Sequence, residues 1–369
     1  MDAQKYPLNP LKYLQFSLRV LVLYLLALFT HLTGCNFYYL EPSTVDFPHL
    51  EVPEQVQKIA FASCNNDNRQ SGVFTSIANL SPDLFVWTGD IIYPDRPIPW
   101  PGNNLDKIAH KYARLQQQYS YRLLAQSVPV TGIWDDHDFG RNNGGANYTW
   151  KSESSNLFRR FMGAAPADFP DSAAIYRSYH LHSGSLQYSL ILLDTRYFRE
   201  QPAKDAHLLG AAQWEWLEQE LRRPAADLLV LVSGTSVLSN DNENEGWSDY
   251  PLERKKLYNI LQDVQKPFVI IAGDKHFAEI NTQHVLGKEV HELIASGVTH
   301  TERPGKRYTN AIASSEHYEG INFGWMEIGE DGTVLLEAMD EAGRVRLTKT
   351  IVFPIFLTSS GSASETRPG

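Results

Sequence analysis

Within Trp134-Asp135-Asp136-His137-Asp138, three carboxylates and an imidazole follow directly on an apolar, strand-like run. Like charges this close repel, and a carboxylate cluster at the buried end of a strand survives only if a cation neutralises it or some groups stay protonated. A bound metal is the simplest remedy. Two more runs share the design: Leu84-Phe85-Val86-Trp87-Thr88-Gly89-Asp90 and Phe268-Val269-Ile270-Ile271-Ala272-Gly273-Asp274-Lys275-His276 each read as a buried strand ending in Gly-Asp. Neighbouring strands lie only about 4.8 Å apart, so short loops at one sheet edge can share an ion. The candidate ligands are Cys64, Asp90, Tyr93, Asp136, Asp274 and His276. One turn could aim Asp90 and Tyr93 inward together, and Asp274 and His276 share a strand face at spacing two. Singly, each has a plainer explanation: a turn aspartate, a small buried cysteine, a core tyrosine. Their conjunction at the ends of strand-like runs is what points to metal chemistry.

The elements that must position these residues are legible in outline. Ile59-Ala60-Phe61-Ala62 reads as a first strand, ended by the polar turn Ser63-Cys64-Asn65-Asn66-Asp67-Asn68. Residues 105–126 keep Ile108, Tyr112, Leu115, Tyr119 and Leu123 at helical spacing, predicting one core-facing helix before the strand Val128-Pro129-Val130. Strands are expected at 186–193 and 228–232, and helices at 211–221 and 252–264. The C-terminal part is strand-rich, with runs at 290–295, 324–328, 333–339 and 345–353. The alternation predicts an α/β core whose second sheet is more antiparallel.

With 369 residues, 43% of them hydrophobic, the chain is long enough for a full core and is not a disordered polymer. A net charge of -10 and the lack of any Lys/Arg-rich run argue against a nucleic-acid surface, which must neutralise phosphates. The N-terminus reads as a targeting segment: Lys5, Lys12 and Arg19 precede an apolar run over 20–32, short for a bilayer span and containing His31. Leu32-Thr33-Gly34-Cys35 resembles the bacterial lipobox, in which the cysteine is lipidated and becomes the new N-terminus; an uncleaved anchor and ordinary signal cleavage are the alternatives. The expected organisation is a signal peptide at 1–34, a tether and domain entry at 35–57, one domain at 58–353 and a flexible Ser/Gly-rich tail at 354–369. The expected location is the bacterial cell envelope, on the periplasmic side or the surface, with the protein monomeric and anchored through Cys35. The only other cysteine is Cys64, which rules out an intramolecular disulfide if Cys35 carries lipid. A lone thiol in such a compartment is a liability unless it is buried or bound to metal.

Ala62-Ser63-Cys64, Gly89-Asp90-Ile91-Ile92-Tyr93-Pro94-Asp95, Trp134-Asp135-Asp136-His137-Asp138-Phe139-Gly140 with Asn142-Asn143, Leu193-Asp194-Thr195-Arg196-Tyr197 and Gly273-Asp274-Lys275-His276 occur in the order seen in one known family. The chain resembles the alkaline phosphatase D family, a branch of the calcineurin-like metallophosphoesterases, over residues 58–328. Leu209-Gly210 before Gln213-Trp214, Trp247 before Tyr250-Pro251 and Arg254, and Asn322-Phe323-Gly324 agree with it. The resemblance implies a two-layer β-sandwich flanked by helices and a bimetallic site that hydrolyses phosphate esters. It implies that Asp90 bridges the metals, that Cys64 and Tyr93 bind a ferric ion, and that Asp136, Asp274 and His276 are further ligands or close neighbours. It also implies iron plus calcium, with other divalent metals as alternatives.

The chain departs from the wider superfamily. Ser63-Cys64 stands in place of Asp-x-His, and Asp135-Asp136-His137-Asp138 in place of Gly-Asn-His-Asp/Glu, as in the alkaline phosphatase D branch. Lys275 occupies a position where a small apolar residue is common, and the longer N-terminal β-domain of some members is not expected.

In such a site a hydroxide held between two metals attacks phosphorus in line while charge builds on the leaving oxygen. His137 could stabilise or protonate that oxygen. Arg196 could clamp a phosphate oxygen, the alternative being a structural pair with Asp194. Asn143 is a candidate ligand or oxyanion donor, or a loop former. The resulting expectation is an envelope phosphoesterase acting on phosphodiesters, phosphomonoesters or both. Its rivals are a non-catalytic metal-containing protein that binds a surface polymer, and an enzyme that turns the same site on phosphotriesters or phospholipids.

Overall fold

The computed structural model describes residues 47–95, 104–171, 173–240, 245–285, 287–301, 310 and 317–353. The proposed signal peptide, Cys35, most of the tether and the Ser/Gly-rich tail lie outside them.

Among the described residues, twelve strands, β1 to β12 in chain order, form two six-stranded sheets. The first runs β12 (Val345–Val352), β11 (Thr333–Asp340), β10 (Asn322–Ile328), β1 (Lys58–Ala62), β2 (Leu84–Thr88), β3 (Val130–Ile133). The second runs β4 (Arg177–Ser183), β5 (Leu186–Leu192), β6 (Leu228–Ser233), β7 (Phe268–Ala272), β9 (Lys288–Ala295), β8 (Ala278–Val285). Each sheet has a parallel part: β1, β2 and β3 run together at one end of the first, and β5, β6, β7 and β9 in the middle of the other. Antiparallel strands extend both. This corrects the expected division of labour. The C-terminal strands do not build a separate antiparallel sheet; β10–β12 add to the edge of β1, and β8 and β9 add to β7.

The continuous apolar runs follow from burial on both faces. In β5, β6 and β7, Leu190, Leu192, Val230, Val232, Val269 and Ile271 point into the core between the sheets. Ile191, Leu229, Leu231 and Ile270 point the other way, against Trp214, Leu217 and Leu221 of helix Gly210–Leu221 and Leu257 and Leu261 of helix Pro251–Val264. Phe74 and Ile77 of helix Val73–Leu80 join the core cluster that includes Phe61, Phe85 and Trp87. The architecture is a two-sheet sandwich flanked by helices.

The single helix expected over 105–126 is two, Asn104–Gln117 and Tyr119–Ser127. Gln118 between them is extended (φ -66°, ψ 125°), and its side chain donates to the Asp67 carbonyl at 2.8 Å. The break rotates the buried face of the second helix to Tyr121, Leu124 and Ala125, leaving Tyr119 81% exposed instead of core-facing. Edge strands β4 and β8 lack the apolar pattern that would have announced them, because more than half their residues are polar.

Candidate metal centre

The C-terminal ends of β1, β2, β3 and β7 carry the candidate ligands, the place where a sheet with a parallel part opens a crevice. Two glycines let the loops approach. A Cβ on Gly89 (φ +98°) would lie 2.5 Å from Asp135 Cβ, and one on Gly273 would lie 2.5 Å from the Thr88 carbonyl oxygen. The loop after β1 is held by Asp67, which is buried with Lys111 Nζ at 2.6 Å. Seven non-glycine residues among those described have positive φ, and five are candidate site residues: Cys64 (63°), Asp90 (50°), Asn143 (52°), Asp274 (75°) and His276 (59°). Left-handed backbone costs an ordinary residue on the order of 1–2 kcal/mol, so its concentration here marks a site whose geometry the rest of the fold enforces.

Three groups of potential ligand atoms each fall within 4.8 Å of one another: Cys64, Asp90 and His276; Asp90, Asp136 and His137; Asp90, Asp135 and Asp274. Asp90 belongs to all three. Its Oδ2 accepts the Tyr93 hydroxyl at 2.9 Å and lies 3.7 Å from Cys64 Sγ, while its Oδ1 accepts the His137 backbone N–H at 3.3 Å. His276 Nε2 lies 3.3 Å from the same phenol oxygen. All six residues expected as ligands are thus gathered at one place, with thiol, phenol and imidazole on one side of Asp90 and carboxylates on the other.

Sequence reasoning passed over several contributors. Asp135, beside the expected Asp136, joins Asp90 and Asp274. Asp138 accepts the backbone N–H groups of Asp135 (2.6 Å) and Ile91 (3.2 Å), tying the β3 and β2 loops together. Asp95 Oδ1 sits 2.7 Å from His137 Nδ1, and its Oδ2 accepts the Asn142 N–H at 2.7 Å. The His300 ring lies tilted against that of His276, with centroids 4.5 Å apart, and edge-on to that of Tyr93 at 5.0 Å. Asp95 closes the motif Gly89-Asp90-Ile91-Ile92-Tyr93-Pro94-Asp95 but was given no role, and His300 lies outside any periodic pattern.

Arg196 is corrected. Its side chain is fully buried, and its donors are spent on carboxylates: Nε on Asp135 Oδ1 (2.6 Å), Nη2 on Asp135 Oδ2 (2.9 Å), and Nη1 on both Glu245 oxygens (3.0 Å). It orients ligands and does not reach out to a phosphate. Asp194 is not its ion-pair partner either, since that carboxylate accepts the Arg196 backbone N–H and the Trp134 indole. Asn143 acts through its backbone, donating N–H to Asp136 Oδ2 at 2.5 Å and accepting Arg199 Nη1 at 3.0 Å.

The electrostatics carry the mark of a cation site. Burial, followed by repulsion from Asp136, Asp135 and Asp138, pushes the Asp90 carboxyl well above its ordinary range. Burial and Asp135 do the same to Asp274. Asp135 rises to about 6, because burial and Asp136 outweigh Arg196. Asp136 goes the other way: burial opposes its ionisation, but Arg196, His137 and the backbone N–H groups of Asn143 and His137 hold it below the usual value. Burial and Asp90 raise both the Cys64 thiol and the Tyr93 phenol. In the metal-free centre the neutral form is thus favoured for Asp90 and Asp274 but not for Asp136, and metal binding displaces protons from the raised acids.

A consequence can be measured. A carboxyl whose folded pKa is raised stabilises the fold fully below its unfolded value, and that stability is lost as pH rises through the folded value. For Asp135 the window runs from 3.8 to about 6, and it is worth about 3 kcal/mol; Asp90 and Asp274 extend it upward. Asp136, whose value is lowered, acts only below 3.8 and leaves this window untouched. Protein stripped of metal beforehand should melt progressively lower as pH rises from 5 to 8, while metal-loaded protein should not. Parallel melting curves for the two forms across that range would contradict this picture of the centre.

The comparisons agree with the geometry. The PhoD-like phosphatase family model matches residues 59–347. Among solved structures, PhoD is similar at 17% identity and a TM-score of 0.63, over 84% of this chain and 74% of that one. A purple acid phosphatase, PPD1 from yellow lupin (Lupinus luteus) seeds, is similar at 15% identity and a TM-score of 0.59, over 83% and 55%. GAP50, the anchor in the inner membrane complex of Plasmodium, is similar at 12% identity and a TM-score of 0.54, over 81% and 90%. At these identities the structural likenesses speak for the fold. No curated protein sequence matches. Because the family model spans most of the chain, and acidic and imidazole groups converge at strand ends drawn from both sheets, the chain belongs to the PhoD-like phosphatase family and is a metallophosphoesterase.

Proposed function

We propose that the protein hydrolyses phosphodiesters, phosphomonoesters or both at a centre of two metal ions that share Asp90. The single observation that carries this reading is the presence of Asp90 in every group of converging ligand atoms. The donor chemistry supports two unlike ions. Cys64 and Tyr93 offer a thiolate and a phenolate beside His276, a set suited to ferric iron, whereas Asp135, Asp136 and Asp274 offer hard oxygens suited to calcium or another oxygen-seeking divalent ion. Bound there, such ions acidify water and draw charge from phosphate oxygens.

The chain's own residues do the rest. A carboxylate can only accept, so the contact of Asp95 with His137 places a proton on Nδ1, fixes the ring, and turns Nε2 toward Asp136, 4.0 Å away. In the imidazolium form, with Nδ1–H held by Asp95, Nε2 can donate its proton to the leaving oxygen. Asp95 is the positioning partner of that histidine. Arg196 orients Asp135, and Asn143 and Arg199 orient Asp136.

Purified protein tested on model mono-, di- and triesters, with elemental analysis alongside, examines the reading. Turnover of mono- or diesters together with iron and a second metal is expected. Turnover confined to triesters, or stoichiometric zinc or calcium without iron, would overturn the substrate or the ferric assignment respectively.

We also propose attachment to the cell envelope through Cys35, on the strength of Leu32-Thr33-Gly34-Cys35. Among the described residues no helix is long and apolar enough to cross a membrane. Cys35→Ser should release the protein or leave its precursor uncleaved. Processing and fractionation identical to the parent's would show that lipidation is wrong.

A further inference from the structure

Arg196 poses an electrostatic problem. A buried guanidinium paired bidentately with Asp135 would, by itself, neutralise a carboxylate that groups with Asp90 and Asp274 for cation binding. Resting on the two-metal reading above, we infer that Glu245 is a positioning residue that keeps the carboxylate-rich half of the centre able to hold its cation, by sharing the charge of Arg196 and Arg199.

Glu245 meets Arg196 on the side away from Asp135, with both of its oxygens 3.0 Å from Nη1. The same carboxylate pairs with Arg199 Nη2. Arg199 in turn donates Nη1 to the Asn143 carbonyl, and the Asn143 N–H donates to Asp136. The Glu245 backbone carbonyl accepts Lys275 Nζ at 3.3 Å. One residue thereby ties together the loops that follow β3, β5 and β7, each of which carries a ligand or its direct support.

The charges explain why this residue is acidic. Three cations, Arg196, Arg199 and Lys275, are buried within this shell, each at most 3% exposed. Among the described residues, Asp135 and Glu245 are the acids paired with Arg196, and Glu245 is paired with Arg199 as well. Lys275 adds one more positive charge beside Asp274, which adds to the need for an acid at 245. Removing the Glu245 charge leaves Arg196 to Asp135 alone and places an uncompensated cation beside the pocket, so the pocket's pull on a divalent ion weakens. The half built from Cys64, Tyr93 and His276 makes none of these contacts and should be spared.

Glu245→Gln removes the charge and keeps the shape. Parent and variant, dialysed free of loosely held ions, are titrated with Mn2+, an ion that favours carboxylate oxygens. Free Mn2+ is read by electron paramagnetic resonance, and the tightly held co-purified metal by elemental analysis. The expected result is a loss of about 10–100-fold in Mn2+ affinity, as when an outer partner of a ligand is removed, with the co-purified metal retained and most of the affinity regained in Glu245→Asp. Equal Mn2+ affinity in parent and Glu245→Gln overturns the inference. Joint loss of both metals also overturns it, as does a Glu245→Asp variant no better than Glu245→Gln, since either would mean that Glu245 only holds loops together. A parent that binds neither metal overturns the two-metal reading itself, and the inference with it.

Discussion

Asp90→Asn is expected to empty the centre. Asp90 is the one residue shared by all three groups of converging ligand atoms, and its two oxygens face different neighbours: Oδ2 faces Tyr93 and Cys64, and Oδ1 faces the His137 backbone. An amide has the same shape but no charge to bring to two cations. Removing even an outer partner of a metal ligand commonly costs 10–100-fold, so loss of the shared ligand should lower turnover by more than about 100-fold and strip both metals. The fold should survive. Burial and repulsion from Asp136, Asp135 and Asp138 make the Asp90 charge a burden in metal-free protein, so the variant should melt no lower than the stripped parent at neutral pH. Retention of both metals with parental turnover would remove Asp90 from the centre.

His137→Ala should have the opposite signature, slow but metal-replete. The ring is oriented from outside by Asp95 at 2.7 Å and stacks on Tyr93 with ring centroids 4.1 Å apart, while Nε2 is left toward the acidic side of the site. A positioned general acid typically contributes about 10²–10⁴-fold, so turnover should fall by at least about 10²-fold. The loss should be largest on esters of weakly acidic alcohols, whose leaving oxygen needs a proton most. Asp95→Asn should move turnover in the same direction by less. Because a His137 nitrogen also lies within ligand distance of Asp90 and Asp136, metal content separates the roles: loss of a metal from His137→Ala would make it a ligand, and near-normal turnover on a poor leaving group would remove it from the mechanism.

Much of this was legible in the sequence because strand ends announce themselves. Continuous apolar runs ending in Gly-Asp announced β2, β7 and the acids at their ends, and the glycines proved to be needed where a side chain would strike Asp135 or the Thr88 carbonyl. The reasons for the failures are equally physical. Gln118 breaks a helix by bonding to Asp67, a contact across the fold with no local signal. β4 and β8 lie at sheet edges, where mostly polar sequences are tolerated and periodicity fades. Arg196 suggested a phosphate clamp because arginine suits phosphate; its carboxylate partners Asp135 and Glu245 lie 61 and 49 positions away, and only the packing of β3 against its neighbours brings them together.

The most direct test of the central claim is the metal dependence of ester hydrolysis by the purified protein. Turnover of bis(4-nitrophenyl) phosphate and 4-nitrophenyl phosphate is followed before chelation, after the metals are stripped, and after they are returned. The account predicts hydrolysis that disappears with the metals and comes back with them, in wild type and not in Asp90→Asn. Hydrolysis by metal-free protein at the parental rate, or no hydrolysis of either ester by fully loaded protein, would contradict it.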